Sequence, residues 1–82
     1  MKREEIIKIV NEFLIEELEI EAEKIASEAR LKNDLGIDSL DFVDIVVIVE
    51  RNFKFKINPE EMVNVSTLND FYDYIESKVG DR

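Results

Sequence analysis

In two stretches of this 82-residue chain, apolar side chains recur every three or four positions, as they do along the buried face of a helix. The first stretch predicts an amphipathic helix over about residues 3–17, with glutamates on its other faces. The second predicts a last helix that begins near Leu68 and ends at Gly80. Thr67 and Asp70 are spaced as a capping box at the start of that helix.

The middle of the chain gives two conflicting signals. The run from Ile45 to Val49 is β-branched throughout, which by itself favours a strand. Residues 40–53, however, form a stretch of about 14 residues that follows a capping residue and contains no turn signal before Asn52. This length and cap favour a second long helix.

Two further segments complete the predicted fold. Residues 19–37 are too irregular for a long helix and too apolar for a free linker, so we expect a packed loop. The sequence Asn58-Pro59-Glu60-Glu61 is typical of a helix start, and only a short helix fits before Val65. The prediction is an all-α fold in one domain spanning residues 1–82. It is a small four-helix bundle, with three longer helices, a short third helix and a long loop between helices one and two.

Composition excludes several kinds of function. The chain has no cysteine and no histidine, so disulfides and thiolate metal sites are excluded, and a serine hydrolase lacks its usual base. A net charge of −9 disfavours nucleic acid and anionic membranes and favours basic protein surfaces as partners. No apolar run approaches a membrane span, and residues 1–20 lack the apolar core of a signal peptide. We expect a cytoplasmic monomer that does not insert into membranes.

The motif Asp34-Leu35-Gly36-Ile37-Asp38-Ser39-Leu40-Asp41 stands at the start of the second helix. Gly36 permits a turn and Asp38 can cap the helix, so Ser39 should be exposed in the first helical turn. A lone serine near a helix start usually does no more than cap it. The flanking leucines, glycine and aspartate instead favour an attachment point.

This motif resembles that of the acyl carrier protein family. The resemblance continues through residues 40–53, Val65-Ser66-Thr67-Leu68 and Asp73-Tyr74-Ile75. It implies that Ser39, between Asp38 and Leu40, covalently carries 4′-phosphopantetheine that a phosphopantetheinyl transferase takes from coenzyme A. It also implies a carrier of acyl thioesters in fatty-acid or related polyketide biosynthesis, not an enzyme.

In that family the second helix docks basic patches of the partner enzymes, which here would be acyl-transferring and synthase enzymes. By position, the resemblance implies docking roles for Leu40, Asp41, Val43, Asp44, Val47 and Glu50, with Met62 and Val65 added from the third helix. A solvated helix face is the simpler explanation of the acidic residues. The family's acidic run is interrupted after Glu50 by Arg51, Asn52, Lys54 and Lys56, so the resemblance leaves the identity of the partner enzymes open.

Three bulky residues, Phe42, Met62 and Phe71, stand near the space where relatives shelter an acyl chain. They suggest a specialised carrier for short or polar acyl groups, or they merely complete the core. A carrier in polyketide, lipid-A-like or aminoacyl transfer also stays open. The alternative outside carrier chemistry is an acidic helical module that binds a basic protein.

Overall fold

The computed structural model describes residues 2–80. Within them the chain forms three α-helices: α1 (Arg3–Glu16), α2 (Ser39–Phe53) and α3 (Leu68–Val79). Two 3₁₀ turns lie between the helices, at Ala22–Lys24 and at Glu61–Asn64. The all-α prediction is confirmed, because the strand-like pairing in the described part of the chain is a single bridge between Arg30 and Thr67.

Both α2 and α3 begin at a complete capping box. The Asp38 carboxylate accepts from the Asp41 amide at 3.0 Å, and the Asp41 carboxylate accepts from the Asp38 amide at 3.3 Å. Thr67 and Asp70 form the same reciprocal pair at the start of α3. These bonds satisfy amide groups that have no partner inside a helix, and they fix where each helix begins.

The β-branched run of α2 is helical because it supplies one buried face. Ile45, Ile48, Val49 and Phe53 are the buried residues of this helix, and their spacing follows the helical repeat. Burial of this face against the rest of the core outweighs a local preference of a few tenths of a kcal/mol per residue. The helix ends at Lys54, which adopts a left-handed conformation with φ of 64°.

The short helix predicted before Val65 is present as a 3₁₀ turn, and it begins at Glu61, two residues after Pro59. Residues 59–60 form a turn, and the 3₁₀ turn that follows occupies Glu61–Asn64. Asn58 does accept a hydrogen bond, from the Glu60 amide at 3.0 Å. Four residues are too few to repay the nucleation of an α-helix, and 3₁₀ geometry is common in such short pieces. Within residues 2–80 the bundle therefore has three α-helices, and a 3₁₀ turn stands in the place of the short third helix.

The core lies between the three helices, and α1 and α3 make the most extensive contact among the described elements. The buried residues come from all three helices and from the connecting segments: Ile6, Val10, Phe13, Leu14, Ala29, Leu35, Ile37, Ile45, Ile48, Val49, Phe53, Ile57, Leu68, Phe71, Tyr72 and Ile75. Ala29, Leu35 and Ile37 belong to the loop between α1 and α2, which is packed as the sequence predicted.

Backbone hydrogen bonds hold this loop against the start of α3. The Leu31 amide donates to Ser66 O at 2.9 Å, and the Leu68 amide donates to Ala29 O at 2.8 Å. Gly36, with φ of +69°, then turns the chain toward α2 in a conformation that other residues rarely adopt. The loop thus delivers the segment before α2 to a fixed place.

Candidate attachment site

Ser39 is the first residue of α2, and its side chain is exposed. The helix is capped by Asp38, and the Ser39 hydroxyl makes no hydrogen bond within residues 2–80. The simplest explanation of a serine at this position, a helix cap, therefore does not apply. The hydroxyl is free to react with an external group.

The start of α2 also presents free backbone amides. The N–H groups of Ser39 and Leu40 have no acceptor among the described residues, whereas the next two amides are bonded to Asp38. Free amides at a helix N-terminus favour an anionic group bound nearby. The carboxylates of Asp38 and Asp41 partly oppose that effect, because they place negative charge in the same turn.

A cavity of about 270 Å³ opens beside Ser39. Its walls are mostly apolar and come from the loop, α1, α2, α3 and the region of the second 3₁₀ turn: Leu14, Leu31, Lys32, Ile37, Asp38, Ser39, Phe42, Ile45, Met62, Val65 and Phe71. Asp38, Ser39 and the exposed Lys32 are its polar lining residues. An apolar chain attached near Ser39 could therefore enter a preformed space.

The predicted docking residues of α2 lie on its outer face. Leu40, Val43 and Val47 are 79%, 60% and 55% exposed, which is unusual for large apolar side chains on a well-packed helix. Asp44 and Glu50 are also exposed, and Asp41 is half-buried. Together these six residues form a mixed apolar and acidic surface that begins beside Ser39.

Met62 and Val65 occupy a different place. Both are half-buried and line the cavity. Their neighbour Val63, which the sequence analysis did not single out, is 81% exposed. The sequence did contain a signal for Val63, because it is an apolar residue that stands between Met62 and Val65 in a short turn. Val63 thus adds an exposed apolar side chain to the segment that carries Met62 and Val65.

The basic end of α2 is tied to the end of α1. The Arg51 guanidinium pairs with the Glu17 carboxylate at 3.1 Å. A groove of about 240 Å³ lies between them, lined by Leu18, Asp44, Val47 and Ile48 as well as the ion pair. The positive charge of Arg51, which interrupts the acidic run in the sequence, is therefore partly neutralised by Glu17.

Residues 2–80 contain no group of three or more potential metal-binding side chains. None of the helices in that range is long and apolar enough to cross a membrane.

The similarity of this chain to known proteins identifies the class to which the motif and the helical fold belong. A family model described as the phosphopantetheine attachment site matches residues 8–75. An acyl carrier protein of Thermotoga maritima is 40% identical over 78 residues, which is 95% of this chain and 96% of that protein.

Two further relatives give the same result. An acyl carrier protein of Coprothermobacter proteolyticus is 38% identical over 79 residues, covering 96% of each chain. One from Prochlorococcus marinus is 36% identical over 80 residues, covering 98% of this chain and all of that protein. The chain belongs to the acyl carrier protein family. The family resemblance seen in the sequence is confirmed, and so is the expectation of a carrier in place of an enzyme.

Family membership implies a covalent 4′-phosphopantetheine as the cofactor. The residues around Ser39 fit such a group, because they offer an unbonded hydroxyl, two free amides and an apolar cavity. The arm supplies the thiol on which a thioester can form.

Proposed function

We propose that this protein carries acyl intermediates as thioesters on a 4′-phosphopantetheine arm attached to Ser39. The observation that carries the proposal is the Ser39 hydroxyl, which is exposed and is not used to cap α2. Asp38 supports the attachment point by fixing the first turn, and Leu40 offers an apolar surface next to it.

In the proposed modification, Ser39 Oγ attacks the phosphorus of coenzyme A that bears the pantetheine arm. One O–P bond to the serine forms, and the O–P bond to adenosine 3′,5′-bisphosphate breaks. The hydroxyl proton passes to a base of the transferase, because this chain has no histidine or cysteine and offers only carboxylates nearby. The protein's own contribution is to present the hydroxyl.

The outer face of α2 is the proposed docking surface. This face consists of Leu40, Asp41, Val43, Asp44, Val47 and Glu50. The proposal adds Met62 and Val65, which lie outside α2 and line the cavity. An exposed apolar stripe with carboxylates beside it suits a partner that has a basic rim around an apolar centre. The partners in this proposal are a phosphopantetheinyl transferase and acyl-transferring or synthase enzymes.

Fatty-acid biosynthesis is the proposed pathway, with polyketide synthesis as a related setting. The proposal also includes a cytoplasmic location, a monomeric state and a single domain over residues 1–82. The net charge of −9 supports a soluble protein that associates with basic partners.

A specialised carrier for short acyl groups is the second candidate, and the cavity favours it. Phe42, Met62 and Phe71 all line the space of about 270 Å³. An apolar cavity of about 150 Å³ holds benzene, so this space accommodates about ten carbon atoms without rearrangement. The dimensions suit a short chain better than a long fatty chain.

Intact mass tests the attachment point. The purified protein is incubated with coenzyme A, magnesium and a broad-specificity phosphopantetheinyl transferase. Wild type should gain one phosphopantetheine, and Ser39→Ala should gain none while keeping its helical content. Ser27→Ala is the matched control, because Ser27 is also exposed but lies in the loop, and it should be modified like wild type.

Modification at Ser27, or at both serines, would place the arm elsewhere. If no variant and not even wild type accepts an arm from any transferase tested, the acidic binding module becomes the better account.

Charge reversal tests the docking surface. Asp44→Lys should slow modification by about three- to tenfold at low salt, because it replaces an attractive charge with a repulsive one. The difference should shrink as salt is added. Glu12→Lys makes the same charge change at an exposed position of α1 and should have little effect. Equal slowing by the two variants would indicate a response to net charge alone.

A further inference from the structure

One wall of the cavity belongs to the segment that precedes α3. It is formed by the segment of residues 58–65, from which Met62 and Val65 line the cavity. The 3₁₀ turn within that segment, Glu61–Asn64, contains no buried residue. Within the turn, hydrophobic burial is limited to the half-buried Met62, so its polar contacts become correspondingly important.

One end of the 58–65 segment is held where it meets α3. Ser66 O accepts from the Leu31 amide at 2.9 Å, and the Ser66 amide donates to the Asp70 carboxylate at 3.2 Å. These bonds join the segment to the loop and to the capping box of α3. The wall is thus fixed directly after Val65.

The remainder of the segment is held by Tyr74 and Lys78 of α3. The Tyr74 hydroxyl accepts from the Asn58 amide at 3.2 Å and donates to a Glu61 carboxylate oxygen at 2.8 Å. The Lys78 ammonium pairs with Glu61 at 3.1 Å and lies 5.5 Å from the centre of the Tyr74 ring. Glu61 is therefore the side chain of the 3₁₀ turn that connects the wall to α3.

These contacts keep Glu61 ionised. The hydrogen bond from Tyr74, followed by that from Lys78, holds the pKa of the Glu61 carboxyl below its usual range. At neutral pH the Glu61 carboxylate is therefore able to contact both Tyr74 and Lys78 of α3.

We propose that Glu61, held by Tyr74 and Lys78, is a specificity-determining residue that limits the length of the acyl chain the cavity accepts. The inference rests on the proposed function. A chain longer than the existing space must push Met62 and Val65 outward. Met62 directly follows Glu61, so the wall cannot move outward without stretching the contacts of Glu61 to α3. A shorter chain fits without moving the wall and is not affected.

The test compares thioester protection across a series of chain lengths. The full-length protein carrying the arm is loaded with butanoyl, hexanoyl, octanoyl, decanoyl, dodecanoyl or hexadecanoyl groups, and the rate of cleavage by hydroxylamine is measured for each. In wild type, protection should rise to about decanoyl and then fall. In Glu61→Ala, the dodecanoyl and hexadecanoyl thioesters should be cleaved about two- to fivefold more slowly than in wild type, with butanoyl unchanged.

Glu60→Ala is the matched control. It removes the same charge from the adjacent residue, whose side chain makes no hydrogen bond or ion pair within residues 2–80. Its profile should match that of wild type. Tyr74→Phe is a second, independent variant, because it removes the hydroxyl and keeps the ring in place, and it should shift protection toward longer chains as Glu61→Ala does.

A general loosening of the fold would raise the cleavage rate at every chain length and would not move the maximum. Unchanged profiles in both Glu61→Ala and Tyr74→Phe overturn the proposed role, and so does an equal shift in Glu60→Ala. If wild type shields the hexadecanoyl group as well as the octanoyl group, the cavity has no such limit. Failure of wild type to accept an arm overturns the proposed function itself, and this inference with it.

Discussion

The side of the molecule where α1 packs on α3 differs from the side that carries Ser39. Between α1 and α3, Ile6, Val10, Leu68 and Ile75 are completely buried. Arg3 also joins the two helices, at 2.7 Å from Asp73 and 2.9 Å from Glu76. Around the cavity beside Ser39, in contrast, one wall is a 3₁₀ turn without a buried residue.

This difference separates stability from cargo binding. A close-packed region resists any change of volume, so it stabilises the fold but cannot admit a variable chain. A region held by a few polar contacts adds less stability and can rearrange at lower cost. Completely buried side chains join α1 to α3, whereas the turn next to the cavity beside Ser39 has no buried residue and is held by polar contacts.

Truncation of core residues should give the largest difference between the two sides. Ile75→Ala should lower the free energy of unfolding by about 2–5 kcal/mol, because it removes a completely buried side chain and leaves a void. Met62→Ala should cost about 1 kcal/mol or less, since Met62 is half-buried and already borders a cavity. Urea unfolding of both variants measures the two values. Similar losses would show that the Ser39 side is packed as firmly as the α1–α3 side.

Removal of a helix cap should lower the stability by a smaller amount. Only removal of the cap next to Ser39 should also affect modification. Asp38→Ala and Thr67→Ala should each cost about 0.5–2 kcal/mol, because each leaves helix amides without a partner. Asp38→Ala should also slow modification of Ser39, since the first turn of α2 presents that residue. Asp38→Asn keeps an acceptor and should restore much of the stability.

Thermal or urea unfolding and a modification assay check these values. Modification that is slowed equally by Thr67→Ala and Asp38→Ala would mean that overall stability, and not the geometry of the first turn, controls access to Ser39.

The sequence predicted the features of the fold that depend on neighbouring residues. It predicted Asp38 as the cap of α2 and the capping box of Thr67 and Asp70 at the start of α3, because each joins residues three positions apart. The reciprocal bond from the Asp38 amide to Asp41 was found in the structure. The exposure of Ser39 follows from the same local geometry. The helical state of residues 45–49 does not follow from neighbouring residues alone, because it depends on burial of a face that only the assembled core provides.

The features that the sequence did not predict join distant parts of the chain. Arg3 contacts Asp73 across 70 positions, and Tyr74 contacts Glu61 across 13. The volume of the cavity depends on side chains from five segments, so it cannot be obtained from the size of Phe42, Met62 and Phe71 alone. The 3₁₀ turn at Glu61–Asn64 has the same origin, because its contacts to α3 replace those that a longer helix would make within itself.

Acidification should give the smallest effect and should test the polar contacts at the two ends of the 58–65 segment. The pKa of Glu61 is lowered mainly by the Tyr74 hydroxyl, and the pKa of Asp70 is lowered mainly by the Thr67 amide. A carboxyl with a lowered pKa in the folded state stabilises the fold above its ordinary pKa, which is 4.5 for Glu61 and 3.8 for Asp70. That contribution is lost as the pH falls through the lowered value.

Tyr74→Phe should therefore raise the pKa of Glu61 toward 4.5 and leave that of Asp70 unchanged. Thr67→Ala should leave the pKa of Glu61 unchanged, because Thr67 contacts Asp70 and lies at the other end of the 58–65 segment from Glu61. NMR titration of the two side-chain carboxyl carbons between about pH 5 and pH 2 measures both values. A Glu61 pKa that is already 4.5 or higher in wild type would mean that its contacts to Tyr74 and Lys78 do not persist in solution. The wall of the cavity would then be free to move, and the contrast with the α1–α3 side would be even larger than the structure indicates.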